Sequence, residues 1–208
     1  MMKNETNIKK YRRLAPIYDL FFGAILSLGR EKAFNFLDFH PGNSVLLVGV
    51  GTGEDLKYIP DPCSITGIDI SDPMLDKAKR KSAGKRVKLI NMNAEKLSFP
   101  NNTFDIIVLN LILSVAENPQ KVMSEAQRVL KPDGRILVFD KFIHSGAKVS
   151  GLRKLINSIT SSIGTDINRC FEDTLQGLPV NKIRDESLMF GGMYRAILLE
   201  NVSDFPNC

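Results

Sequence analysis

Two rhythms of apolar positions alternate along the chain. Short continuous apolar runs recur at residues 45–48, 64–68, 87–90, 104–110 and 135–140. Runs of this length without polar alternation fit strands covered on both faces, as in a parallel sheet. The stretches between them carry helical spacing. Residues 54–59 begin a helix directly after Gly53, and the acidic pair Glu54 and Asp55 suits its positive end. Ser71 or Asp72 caps the next helix, with Pro73 at its first position, and that pattern runs to about Ser82. Residues 119–130 set Val122, Met123, Ala126, Val129 and Leu130 on one side, and residues 131–134, Lys-Pro-Asp-Gly, form a turn. Strand and helix alternating in this way predict an α/β protein, a doubly wound sheet with right-handed crossovers.

The ends of the chain break the rhythm. Residues 4–15 are polar and basic, with Lys9, Lys10, Arg12 and Arg13 around Tyr11. After Pro16 an amphipathic helix begins at Ile17 and continues through Phe34, Phe36 and Leu37 to the break at His40, Pro41 and Gly42. This front segment is either a lid over a ligand site or a plain packing helix. Tyr11 and Tyr18 either line a pocket or are core residues with a polar tip. Beyond Lys141 the pattern loosens, apart from a helical stretch at 150–163. Two late β-like runs, 183–190 and 193–200, are joined by Gly191 and Gly192, a hairpin signal. A mostly parallel, seven-stranded sheet that ends in an antiparallel hairpin differs from a dinucleotide fold, which would end in a parallel strand. The chain reads as one domain: a helical cap over 1–40, a core over 41–140, and a substrate-side segment with the hairpin over 141–208.

The first apolar run leads straight into Gly49, Gly51 and Gly53. Glycine lets the backbone turn sharply and approach a ligand closely, because no Cβ intervenes. Strand, glycine loop and helix start together form a cofactor-binding corner in many α/β proteins. A dinucleotide fingerprint is Gly-x-Gly-x-x-Gly, and here the third glycine arrives one residue early, with Glu54 in its place. Asp69 ends the second apolar run, 20 residues after Gly49, the distance at which an acid meets a ribose. Together these point to a nucleoside-type ligand. Asn93, after the third run, either reads a nucleobase edge or caps its own turn.

Bulk properties narrow the class. The 208 residues are 43% hydrophobic and 25% charged, enough for one well-buried core. A net charge of +5 is compatible with anionic surfaces without being diagnostic. Lys77, Lys79, Arg80, Lys81, Lys85, Arg86 and Lys88 form either a solvated face or a basic patch for phosphate headgroups or nucleic acid. Cys63, Cys170 and Cys208 have neither disulfide-framework nor metal-ligand spacing, and Cys63 reads as a small buried hydrophobe. The first ten residues do not read as a signal peptide, and the longest apolar run, 106–116, is too short to span a bilayer. A cytoplasmic protein is expected.

Residues 45–53, Ile68-Asp69-Ile70-Ser71, Asn93-Ala94-Glu95 and residues 128–134 together resemble the class I S-adenosylmethionine-dependent methyltransferases. The likeness covers roughly residues 40 to 140. It is nearest to the ubiquinone/menaquinone-pathway group and to bacterial phosphatidylethanolamine N-methyltransferases, the latter through residues 11–20 and Phe139-Asp140-Lys141-Phe142. The resemblance implies S-adenosyl-L-methionine as cofactor. It implies Gly49, Gly51 and Gly53 under the methionine part, Asp69 on the ribose hydroxyls, and Ile70 and Met74 flanking the adenine. Asn93 and Ala94 would meet the adenine edge, and Asn110 would lie near the reactive methyl. Tyr11 and Tyr18 would close over both reactants. Many relatives carry an acid where this chain has Leu47, and Asp where it has Asn93.

The resemblance implies methyl transfer to a lipid headgroup or small molecule, with the amine of phosphatidylethanolamine as the leading acceptor. Quinone-pathway or other C- or O-methylation is the alternative, and a cofactor-binding regulatory protein is the rival of another class. A neutral amine attacks without a strong base, whereas a phenol or carbon acid needs one. His144 is placed for that task or is a loop histidine. Contact with anionic membrane through the basic front segment is expected, and nucleic-acid binding is not.

Overall fold

The computed structural model describes residues 24–143 and 169–202. Its strands are β1 (Ser44–Val48), β2 (Ser64–Asp69), β3 (Val87–Asn91), β4 (Phe104–Asn110), β5 (Leu130–Lys141), β6 (Val180–Met189) and β7 (Tyr194–Asn201). They form one sheet in the order β3-β2-β1-β4-β5-β7-β6. Strands β1 to β5 are parallel, and β7 lies antiparallel between β5 and β6. The doubly wound sheet with a terminal hairpin is therefore the one the sequence predicts. The chain steps outward from β1 to β3 and then returns beside β1 as β4. That reversal opens a crevice beyond the carboxyl ends of β1 and β4, where ligands of open α/β sheets bind.

Both faces of the central strands are buried, which is why their runs lack polar alternation. Leu46, Val48, Ile107, Leu109, Ile136 and Val138 point into one core, beneath helix α3 (Pro119–Val129) with Val122, Met123 and Ala126. Their neighbours Val45, Leu47, Ile106, Val108, Leu137 and Phe139 point into the other. Helix α1 (Ala24–Phe34) covers that second core with Leu26, Ala33 and Phe34. Helix α2 (Asp72–Lys81) packs beside β2 and β3 through Ala78 and Leu75. Cys63 is buried in the second core, as its sequence context suggests.

Several local expectations change. The helix expected at residues 54–59 is a five-residue 3-10 helix, Glu54–Tyr58, entered from Gly53 in the left-handed conformation (φ 84°). One turn cannot accumulate a macrodipole, so the acidic pair does not serve a helix end. Instead Glu54 pairs with Lys81 and lies 3.8 Å from Lys57, while Asp55 turns inward. The expected turn at residues 131–134 lies inside β5, which begins at Leu130 opposite Phe104 and then shifts register. Asp133 absorbs that irregularity with φ 60°. Part of the basic run is neutralised, since Lys81 reaches Glu54 and Lys85 lies 2.8 Å from Asp61. No helix among the described residues is long and apolar enough to cross a membrane.

Candidate active site

The floor of the crevice is the loop after β1. Gly49, Gly51 and Gly53 have φ of 70°, 54° and 84°, values that L side chains adopt only with strain. Their surroundings differ. A Cβ on Gly53 would lie 3.0 Å from the Cα of Ala78, so this glycine lets the loop pack on α2. On Gly49 a Cβ would press on Ile112 at 2.9 Å. On Gly51 it would meet nothing closer than the Gly49 carbonyl at 3.9 Å. Gly51 therefore borders open space, and a ligand lying on this loop would touch its bare backbone. The sequence expectation of one shared role for the three glycines becomes two, with packing at Gly53 and ligand approach at Gly51.

Asp69 stands at the end of β2 with both carboxylate oxygens anchored. Its Oδ2 accepts from the Gly51 N–H at 2.9 Å and its Oδ1 from the Ser71 N–H at 2.9 Å. These bonds lock the side chain between the glycine loop and the start of α2. Each oxygen keeps a second acceptor lone pair, which is what a pair of vicinal ribose hydroxyls requires. Burial pushes the Asp69 carboxyl above its ordinary 3.8, while the Ser71 and Gly51 N–H groups oppose the rise. Ile70, half-buried, follows at once, and Met74 is buried in the first turn of α2.

The loop after β3 brings Asn93 and Ala94 to the same edge. Asn93 Oδ1 accepts from the Glu95 N–H at 2.9 Å, so the turn-capping alternative describes its oxygen. Ala94 packs partly against the first core. Three further bonds fix this loop. Glu95 accepts from the Asn118 N–H at 2.9 Å, and Arg128 of α3 donates to the Leu97 and Phe99 carbonyls, each at 2.9 Å.

Beyond β4, Leu111 adopts φ 58°, rare for a branched side chain and costing about 1–2 kcal/mol. Its N–H donates to the Phe139 carbonyl at 2.9 Å, which holds the strained turn against β5. Asp140, fully buried at the end of β5, accepts from the Ser114 N–H at 2.8 Å and the Lys141 N–H at 2.7 Å. These bonds clamp the Asn110–Ser114 loop at the carboxyl edge. Burial raises the Asp140 carboxyl and lowers the neighbouring Lys141 ammonium, each favouring the other's charge.

One cluster at this corner was not singled out by the sequence reading. Arg30 of α1 lies with its Nε 3.1 Å from Asp55 Oδ1, and both side chains are over nine-tenths buried. Asn110 sits beside Asp55 and favours its charged form. Burial nevertheless pushes the Asp55 carboxyl above its ordinary value, with Arg30 opposing. Arg30 Nε and Nη1, Asp55 Oδ1 and both polar atoms of the Asn110 amide are buried without an aligned hydrogen-bond partner. Each buried polar group left in that state costs about 1–3 kcal/mol. A legible signal existed: Arg30 stands four residues after Leu26 and four before Phe34, a charge on the apolar stripe of α1.

The structure thus brings Gly49, Gly51, Gly53, Asp69, Ile70, Met74, Asn93, Ala94 and Asn110 to one edge of the sheet. Tyr11, Tyr18, His144 and the basic residues Lys9 to Arg13 lie outside the described residues. The donor and acceptor set fits an adenosyl amino acid: a bare-backbone cradle, a twice-anchored acid, and a buried charge pair with unfilled bonds.

Residues 46–138, which run from β1 to β5, match the family described as "Methyltransferase domain". A phosphatidylethanolamine N-methyltransferase of Cereibacter sphaeroides is 28% identical over 190 residues, 89% of this chain and 93% of that protein. A demethylmenaquinone methyltransferase of Symbiobacterium thermophilum is 34% identical over 122 residues, 52% of this chain and 49% of that protein. The chain thus spans about half the length of that second relative. Among solved structures, a geranyl diphosphate C-methyltransferase from Streptomyces coelicolor A3(2), in complex with S-adenosyl-L-homocysteine, matches with a TM-score of 0.71. That match covers 85% of this chain and 76% of the other at 15% identity, and it establishes the fold. By motif, fold and relatives alike, residues 46–138 form a methyltransferase domain that takes S-adenosyl-L-methionine as its cofactor.

Proposed function

We propose that this protein methylates the amine of a phospholipid headgroup, phosphatidylethanolamine or a close amine relative. The observation that carries the reading is the near end-to-end likeness to a phosphatidylethanolamine N-methyltransferase, 89% of this chain against 93% of that protein. The likeness to the demethylmenaquinone methyltransferase reaches only 52% of the chain. Methylation of a quinone-pathway carbon is the second reading, favoured by the higher identity, 34%, within that shorter match.

Bound S-adenosylmethionine supplies a sulfonium methyl already activated for in-line displacement. The chain's part is to hold and orient. In this reading Asp69 grips the ribose, Ile70 and Met74 flank the adenine, and the Asn93 amide nitrogen donates to its edge beside Ala94. Gly51 leaves room for the thioether chain, and Asn110 lies near the reactive methyl. The acceptor nitrogen would take the methyl in line from the sulfonium, which would leave as the thioether, and the proton it sheds would pass to solvent. A positioned base adds little to such an attack, so His144 has no required role. Well-oriented reactants gain about 7–11 kcal/mol from positioning alone.

Vesicles containing phosphatidylethanolamine, incubated with methyl-labelled S-adenosylmethionine and the protein, test the reading. Label is expected in mono- and dimethylated headgroups, with demethylmenaquinol left unlabelled. Label in the quinol and none in the lipid would transfer the assignment to the second reading.

A further inference from the structure

We propose that Lys141, with Tyr194 and Phe190, forms the subsite for the phosphodiester of the acceptor lipid. The ammonium receives a phosphate oxygen, and the two rings border the glycerol end. The inference rests on the phospholipid reading above and adds the residue that fixes the headgroup relative to the methyl.

The position follows from strand register. Asn110, at the carboxyl end of β4, lies opposite Phe139 of β5. Lys141 comes two residues later, on the same face as Phe139, because side chains alternate along a strand. Strand spacings of about 4.8 Å across and about 3.3 Å along put its Cα about 8 Å beyond that of Asn110. In phosphatidylethanolamine two carbons and one ester oxygen separate the nitrogen from the phosphorus. A cation at this remove can hold the phosphate while the amine points back toward Asn110 and the methyl.

The side chain is set to take an anion. Tyr194 lies opposite Lys141 in β7, and the Lys141 Nζ stands 5.9 Å from the centre of its ring. Lys141 is half-buried, and its Nζ makes no ion pair or hydrogen bond among the described residues. Both carboxylate oxygens of the adjacent Asp140 already accept backbone N–H groups, from Ser114 and from Lys141 itself. Burial lowers the Lys141 ammonium, with Asp140 opposing, and a phosphate oxygen beside it would favour the charge that burial disfavours. Two guanidiniums near this edge are committed elsewhere. Arg195 donates to Glu172 and Asp185, and Arg169 to the Leu113 and Ala116 carbonyls. The rim beside Lys141 is aromatic. Phe190 is 59% exposed at the hairpin turn, and its ring centre lies 5.6 Å from that of Tyr194. A long cationic side chain beside aromatic rings suits the level at which a lipid's headgroup meets its apolar part.

Kinetics on lipid and binding of soluble headgroups test the subsite. Phosphatidylethanolamine is presented in mixed micelles with a non-ionic detergent, so that no general surface charge attracts the protein. The variants are Lys141→Gln, the conservative Lys141→Arg, and Lys121→Gln as an exposed control on α3. Lys141→Gln should raise KM for the lipid at least about tenfold, with a smaller change in kcat, as expected for a lost charge-assisted hydrogen bond. Lys141→Arg should restore most of that loss, Lys121→Gln should match wild type, and all three should bind S-adenosylhomocysteine as wild type does. In parallel, ligand-observed NMR follows glycerophosphoethanolamine and ethanolamine on the S-adenosylhomocysteine-loaded protein. Lys141→Gln should weaken the first and leave the second unchanged. An unchanged KM in Lys141→Gln, a fall in kcat alone, or an equal loss for both soluble amines would overturn the subsite. A wild-type protein that binds glycerophosphoethanolamine through Lys141 but methylates no lipid would uphold the subsite and overturn the acceptor reading. A wild-type protein that binds it no better than ethanolamine would overturn the subsite, whichever lipid is methylated.

Discussion

Gly51 and Gly53 stand two residues apart with similar left-handed φ, yet a methyl group should act differently at each. An alanine at either position bears about 1–2 kcal/mol of backbone strain. At Gly53 the new Cβ also presses on the Ala78 backbone at 3.0 Å, adding an overpacking cost of about 1–3 kcal/mol. Gly53→Ala should therefore lower the urea midpoint more than Gly51→Ala does. Gly51→Ala should instead cost more in S-adenosylhomocysteine affinity per unit of stability lost, because its Cβ enters the cradle. Equal stability losses in the two variants would mean that Gly53 is not a packing glycine. At this scale the sequence was informative where spacing carries the chemistry. Asp69 was found because an acid some twenty residues beyond a glycine loop lands on the neighbouring strand's tip. Arg30 and Asp55 were missed because their pairing joins residues 25 positions apart in sequence, which no local pattern encodes. Leu111 was illegible for another reason, since its positive φ is imposed by the Phe139 carbonyl and not by its own preference.

The elements follow their apolar periodicity where packing and propensity agree. Helix α3 begins where Asn118 caps it, accepting from the Lys121 N–H at 3.0 Å, with Pro119 in the first turn. Asn118→Ala should destabilise the protein by about 1 kcal/mol, the usual cost of a lost N-cap, read from urea denaturation. No change would show that the Glu95 bond to the Asn118 N–H alone holds this helix start. The helix expected after Gly53 failed at the same scale. Glu54 and Asp55 fit a helix start in composition, but Asp55 is drawn inward by Arg30, and the segment ends after one 3-10 turn. Tertiary pairing overrode local preference there. The hairpin was legible from Gly191 and Gly192. Its position was not, since β7 inserts between β5 and β6, a choice made by buried side chains from Tyr194 to Leu199.

Across the whole molecule the fold is a two-faced sheet, and an ion-pair cluster fixes its terminal hairpin beside the carboxyl end of β5. In that cluster Glu172 and Asp185 both accept from Arg195, at 2.9 Å for Glu172. Burial would raise the Glu172 carboxyl, but hydrogen bonds from Arg195 and Cys170 outweigh it and hold the pKa at about 2, down from 4.5. A carboxyl depressed in the folded state adds stability above its unfolded pKa and loses it as pH falls toward the folded value. Unfolding free energy should therefore decline between about pH 4.5 and pH 2, and less steeply in Glu172→Gln. Identical acid slopes in the two proteins would remove Glu172 from the account. In the proposed function a nucleoside lies across the tips of β1 and β2, held by Asp69. Calorimetric titration of S-adenosylhomocysteine into wild type and a folded Asp69→Ala variant tests this most directly. Loss of the carboxylate should weaken binding by about 1.5–3 kcal/mol, roughly ten- to 150-fold in Kd. The same Kd in both proteins would contradict it.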